Sequence, residues 1–82
     1  MPLISYGYSR AIPADLDKNF DVRDLSYNVR SPEFDAKLDE ISNYAREHPD
    51  ERIGIGCQHG KHRSVKLAQQ AGERLKQSYY HT

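Results

Sequence analysis

The run Arg52-Ile53-Gly54-Ile55-Gly56-Cys57, followed at once by Gln58-His59-Gly60-Lys61-His62-Arg63-Ser64, constrains this chain more than any other part of it. A short apolar stretch of this kind reads as a buried strand, here the central one. Its two glycines weaken a strand and mark close backbone approach. Beyond the loop, from His62 or Arg63 to about Gln77, the residues Leu67, Ala68, Ala71, Gly72 and Leu75 share one face of a helix, with Lys66, Gln70, Glu73 and Gln77 on the other. Small residues on the inner face let that helix lie close to a sheet. A buried strand that turns directly into an amphipathic helix is the building unit of an α/β fold.

The preceding residues supply the rest of such a fold. Leu3 to Tyr8 alternates aromatic and small residues and reads as a first strand, ended by the break at Ile12-Pro13. Asn19-Phe20-Asp21-Val22-Arg23 reads as a second, with Phe20 and Val22 on one face and Asp21 and Arg23 on the other. Asp24 to Arg30 is a polar loop. Ser31-Pro32-Glu33 is a helix start: a capping serine, a proline at the first helical position and an acid in the positive first turn. Phe34, Leu38, Ile41 and Ala45 follow at helical spacing, Glu33 and Lys37 sit four apart as a supporting ion pair, and His48-Pro49-Asp50 stops the helix. The tail Ser78-Tyr79-Tyr80-His81-Thr82 either adds an edge strand or frays. The expected architecture is one α/β domain over residues 1–82. It has a small sheet of three to four strands, a right-handed βαβ unit, two main helices, and an anion-binding loop between the third strand and the second helix.

An oxyanion requires donors that converge on it and a field that favours negative charge. A helix start provides both, through unpaired backbone N–H groups and the positive end of the helix dipole. Gly56 and Gly60 let the backbone curl close to the oxygens. Arg63 adds a planar fork matched to phosphate, Lys61 a mobile point charge, and Ser64 a hydroxyl; Cys57 at the strand end would point into the same bowl. His59 and His62 each read either as contributors to the bowl or as plain solvent-exposed loop residues. A plain strand-to-helix turn around a buried cysteine would also fit, but it leaves four basic side chains in five residues without an anionic partner.

Size and composition narrow the alternatives. At 82 residues the core is small and self-association would add to it. No apolar run reaches membrane-spanning length and the first residues lack a signal-peptide pattern, so the expected location is the cytoplasm, with no membrane partner. Cys57 is the single cysteine, which excludes an internal disulfide and a multi-cysteine zinc site; no metal and no cofactor are expected. The zero net charge divides unevenly: residues 1–56 hold seven Lys/Arg against eleven Asp/Glu, and residues 57–82 hold five against Glu73 alone. The last third reads either as a plain dipolar surface or, in the sharper reading, as a face for an anion. Its basic stripe, Lys61, Arg63, Lys66, Arg74 and Lys76, makes RNA a further candidate partner, although aromatic interleaving for base stacking is sparse.

Two families share this arrangement. The spacing of Cys57, Gly60, Arg63 and Ser64 resembles the loop of cysteine-dependent phosphatases, which implies Cys57 as nucleophile, Arg63 as phosphate clamp and Asp21 or Asp24 as general acid. Gly56 stands where those enzymes usually carry a histidine. The second resemblance covers more of the chain. Tyr6-Gly7-Tyr8, Ile12-Pro13-Ala14-Asp15, Phe20-Asp21-Val22-Arg23-Asp24-Leu25 and Ile53-Gly54-Ile55-Gly56-Cys57 with Gly60-Lys61-His62-Arg63-Ser64-Val65 are similar to the C-terminal domain of RapZ proteins, bacterial RNase adapters. That resemblance implies a stand-alone regulatory module that binds a small phosphorylated metabolite such as a sugar phosphate, with RNA and a second copy of itself as further partners. It assigns ligand binding to Asp21, Arg23, Cys57, Gln58, Gly60, Lys61, His62, Arg63 and Ser64. The chain differs from the family in that Gln58 and His59 replace a usual threonine and glycine, Asp24-Leu25-Ser26-Tyr27-Asn28 stands where a proline-asparagine-proline stretch is usual, and the segment leading to the first helix is shortened. The binding reading is preferred to the phosphatase one because Arg23 beside Asp21 should hold that carboxylate ionised and make it a poor acid.

Overall fold

A computed structural model describes residues 3–25, 31–58, 63–76 and 79–81. The elements are β1 (Leu3–Gly7), β2 (Lys18–Asp21), α1 (Pro32–Glu47), β3 (Ile53–Cys57), α2 (Arg63–Leu75) and β4 (Tyr79–His81). They form one four-stranded sheet in the order β2-β3-β1-β4, parallel at every pairing. The architecture is the expected α/β sheet with two helices, and the tail resolves as the edge strand β4, beside β1. The strands are shorter than the sequence suggests. β1 stops at Gly7 and β2 at Asp21; after Val22 N has bonded to Gly56 O, the Asp21 carboxylate accepts from the Arg23 backbone N–H and closes a turn.

Helix α1 forms for local reasons. Ser31 is extended, its Oγ accepts from Phe34 N at 3.2 Å, and Pro32 occupies a position where a missing N–H costs nothing. Phe34, Leu38, Ile41 and Ala45 are all buried, each large member contributing on the order of 1.5–3 kcal/mol relative to exposure. Lys37 pairs with Glu40, three residues on, rather than with Glu33. The helix ends at His48, which stacks on Tyr44 with 4.0 Å between ring centroids. Tyr44 also donates its hydroxyl to Glu51, and that bond to a carboxylate pushes its phenol up to about 12.

Both helices cover one face of the sheet. Leu3, Phe20, Val22, Ile53, Ile55 and Cys57 pack there against Phe34, Leu38, Ile41 and Ala45 of α1 and Leu67, Ala68 and Ala71 of α2. Side chains alternate across a strand, so Gly54 and Gly56 face the other way. A Cβ on Gly54 would come within 2.5 Å of Leu16 Cδ1, and one on Gly56 within 2.5 Å of Tyr6 Cζ. The close approach that these glycines permit is therefore by side chains and not by backbone. Tyr6, paired in register with Gly56, lies across β3 and donates its hydroxyl to Asn19 Oδ1 on β2. Burial in this position, with Tyr8 alongside, pushes the Tyr6 phenol far above its ordinary value.

Candidate functional site

The connections leaving β1 and β3 diverge at their carboxyl ends. From β1 the chain crosses the helix-free face, where Leu16 covers Gly54, to reach β2. From β3 it enters α2 on the opposite face. Adjacent parallel strands whose connections part in this way leave a crevice beyond their carboxyl ends, the usual place for a ligand in an open α/β sheet. Gly7 and Cys57 are partners in register at that point, and the pairing continues through Tyr8 N to Cys57 O and Ser9 N to Gln58 O, both 2.9 Å.

Four residues of the expected bowl are described here. Cys57 is 2% exposed, on the helix-covered side, and its Sγ lies 3.2 Å from the Ser64 Oγ in the first turn of α2. Ser64 is fully buried. The pair sits where strand meets helix, with Cys57 also part of the apolar core. Gln58 is exposed and holds Ser9 through its carbonyl. Arg63 opens α2, and its Nη1 donates to the carbonyls of Arg23 at 2.6 Å and Leu25 at 2.7 Å. That nitrogen of the expected phosphate fork is thus engaged with backbone. His59, Gly60, Lys61 and His62 lie outside the described residues.

Asp21 and Arg23 sit at the neighbouring strand end. Arg23 Nε and Nη2 grip the Asp21 carboxylate, the closest approach being 2.7 Å. This bidentate bond holds the Asp21 carboxyl below its ordinary value and raises the Arg23 guanidinium. Arg23 also stacks over Tyr8 at 4.0 Å from the ring centroid, while Tyr8 Oη accepts from Asn19 Nδ2. Tyr6, Tyr8 and Asn19 were not among the site residues inferred from sequence. The period-two spacing of Tyr6 and Tyr8, matched by Asn19 and Asp21, was the available signal. Of the basic stripe, Lys66 is exposed, and Arg74 is bonded to Asp39 of α1 at 2.7 Å, eleven residues beyond Arg63 and so about 16 Å farther along the helix. Among the described residues no group of His, Cys, Asp and Glu could hold a metal ion, and no helix is long and apolar enough to cross a membrane.

A parallel sheet whose strand β3 passes directly into α2 places the chain in the class of open α/β domains. Within it, the chain belongs to the RapZ C-terminal domain family, which matches residues 33–82. Among curated proteins, the chain is similar to a nucleotide-binding protein of Listeria welshimeri, 32% identical over 106 residues, covering 94% of this chain and 36% of the relative. It is also similar to one of Clostridium novyi, 33% identical over 104 residues with 92% and 35% covered, and one of Ruminiclostridium cellulolyticum, 31% over 107 residues with 95% and 37%. The chain spans little more than a third of the length of these relatives. The alignments also run over more positions than this chain's 82 residues, so the relatives carry residues that it lacks within the matched region.

Proposed function

We propose that this chain is a binding module that holds the phosphate of a small phosphorylated ligand in the crevice beyond β1 and β3. The observation that carries the reading is the convergence of the Cys57–Ser64 pair and Arg63 on the first turn of α2, a turn with no acidic residue, at the point where the connections of β1 and β3 part. Backbone N–H groups at that helix start favour an anion electrostatically. Gln58, Gly60, Lys61 and His62 complete the bowl in this reading, with Asp21 and Arg23 facing the rest of the ligand. The relatives' name, nucleotide-binding protein, is in keeping with a phosphorylated ligand. The 82 residues act as one domain, and the exposed Tyr79 at the sheet edge offers a surface for self-association.

Binding is preferred to phosphate hydrolysis because turnover requires a proton donor for the leaving group. Asp21, the nearest carboxylate at the strand ends with a defined partner, is held ionised by Arg23. RNA remains a secondary partner in this proposal, since Arg74 spends its charge on Asp39 and lies far along the helix from the bowl.

The test is a titration with inorganic phosphate and a sugar phosphate followed by backbone amide shifts. The largest shifts are expected from Gly60 to Ser64, and saturating ligand with no change there would sink the reading. Cys57→Ser should keep affinity within a few-fold, with negligible hydrolysis of an aryl phosphate by either protein. Wild-type turnover near the common enzyme scale of about 1 per second or more, abolished by Cys57→Ser, would replace binding with catalysis.

A further inference from the structure

We infer that Arg63 is a positioning residue that links occupancy of the anion site to the turn after β2; the inference rests on the binding reading above. One nitrogen of its guanidinium closes that turn from a distance of 40 and 38 residues, by donating to the carbonyls of Arg23 and Leu25. Bonds of 2.6 and 2.7 Å are at the short end for N–H donors, as a charged donor gives. The turn itself carries a bond from Leu25 N to Val22 O at 3.1 Å, and Leu25 packs against the core.

From this turn the contacts continue without a gap. The Arg23 side chain grips Asp21 and covers Tyr8, Tyr8 accepts from Asn19, and Asn19 accepts from Tyr6 where it crosses Gly56. The first residue of α2 is thereby joined to the ends of β2 and β1 through a continuous run of contacts. A guanidinium presents its donors in a fixed fork. Swinging the fork so that Nη1 meets an anion at the start of α2 breaks its bonds to the Arg23 and Leu25 carbonyls. Anion binding that recruits Nη1 therefore releases residues 23–25 from α2. Reciprocally, the seating of the Asp21–Arg23 pair sets the affinity for the anion. Lysine, a point charge on a flexible stem, keeps the charge at this position but loses the linkage.

The experiment compares the full chain with its Arg63→Lys variant by amide exchange without anion and by titration with inorganic phosphate. Exchange at Leu25 should accelerate by at least about tenfold in the variant, the scale of losing a hydrogen bond from a charged donor, with helix content unchanged by circular dichroism. Saturating phosphate should shift Ser64 in both proteins, but Arg23 and Leu25 only in the wild type. Unchanged Leu25 exchange, or Arg23 and Leu25 shifts that persist in the variant, would overturn the linkage alone. A wild-type Ser64 amide that ignores phosphate would overturn the anion reading and the linkage with it. Should Arg63→Lys fail to fold, the wild-type guanidinium signals decide: slowed rotation and solvent exchange at Arg63 Nη support the linkage, and fast exchange overturns it.

Discussion

At the start of α1 the chain supplies its own negative charge: Ser31 Oγ accepts from Phe34 N, and Glu33 and Asp35 occupy the first turn. At the start of α2 the first turn is acid-free, Arg63 opens it, and the exposed Lys66 follows three residues later. Both helices begin after a parallel strand and pack on the same face of one sheet, so the difference is not imposed by architecture. A helix built only to support the sheet closes its positive end with its own side chains. One whose first turn carries added cations has a field that an external anion completes.

The largest effect that would break this contrast is expected from Arg63→Ala. Phosphate affinity should fall by about 1.5–3 kcal/mol, read by calorimetric titration, whereas unchanged affinity would remove α2 from the site. Next in size is Ser31→Ala, which should cost about 1 kcal/mol of folding stability in denaturant melts while leaving phosphate affinity where it was. A matching loss of affinity would mean that the two helix starts are not functionally distinct. Lys66→Glu sharpens the comparison by giving α2 the acidic turn that α1 has. It should raise stability slightly and weaken phosphate binding, each by roughly 0.3–1 kcal/mol, and two changes of the same sign would contradict the reading.

The smallest effect concerns pH. The Asp21 carboxyl is depressed below 3.8 by Arg23, so its contribution is present above that value and lost as pH falls through the lower, folded one. Phosphate affinity should therefore show no Asp21-linked step from about pH 5 to 8. Carboxyl carbon shifts of Asp21 would check this, and a midpoint above 3.8 would show that the pair with Arg23 does not form in solution.

What could be read from the sequence was what is encoded locally. The cap at Ser31, the stripe from Phe34 to Ala45, the strand end at Cys57 and the helix start at Arg63 each depend on residues a few positions apart, and each lies where the pattern puts it. The choice of partner across the chain was not legible. Arg63 could have turned its Nη1 to a ligand as readily as to Arg23 and Leu25, Lys37 chose Glu40 over Glu33, and Arg74 found Asp39 from 35 residues away. Such choices follow from where backbone elements come to rest in space. The glycines of β3 show the same limit: their alternation signals an approach, but not that Tyr6 and Leu16 are what approaches.

The sheet order also governs how the chain can reach this state. β1 hydrogen-bonds to β3 and β4, with Leu3 meeting Ile53 and Tyr79, and β2 pairs with β3 across α1. Among the described residues, no two strands consecutive in sequence are neighbours without a helix intervening. A hairpin nucleus is thus unavailable, and every ladder requires closure of a long loop before it gives any return. β1 is made before either of its partners, β3 and β4, so Leu3, Ile4 and Tyr6 stay outside their native ladder until Cys57 has been synthesised.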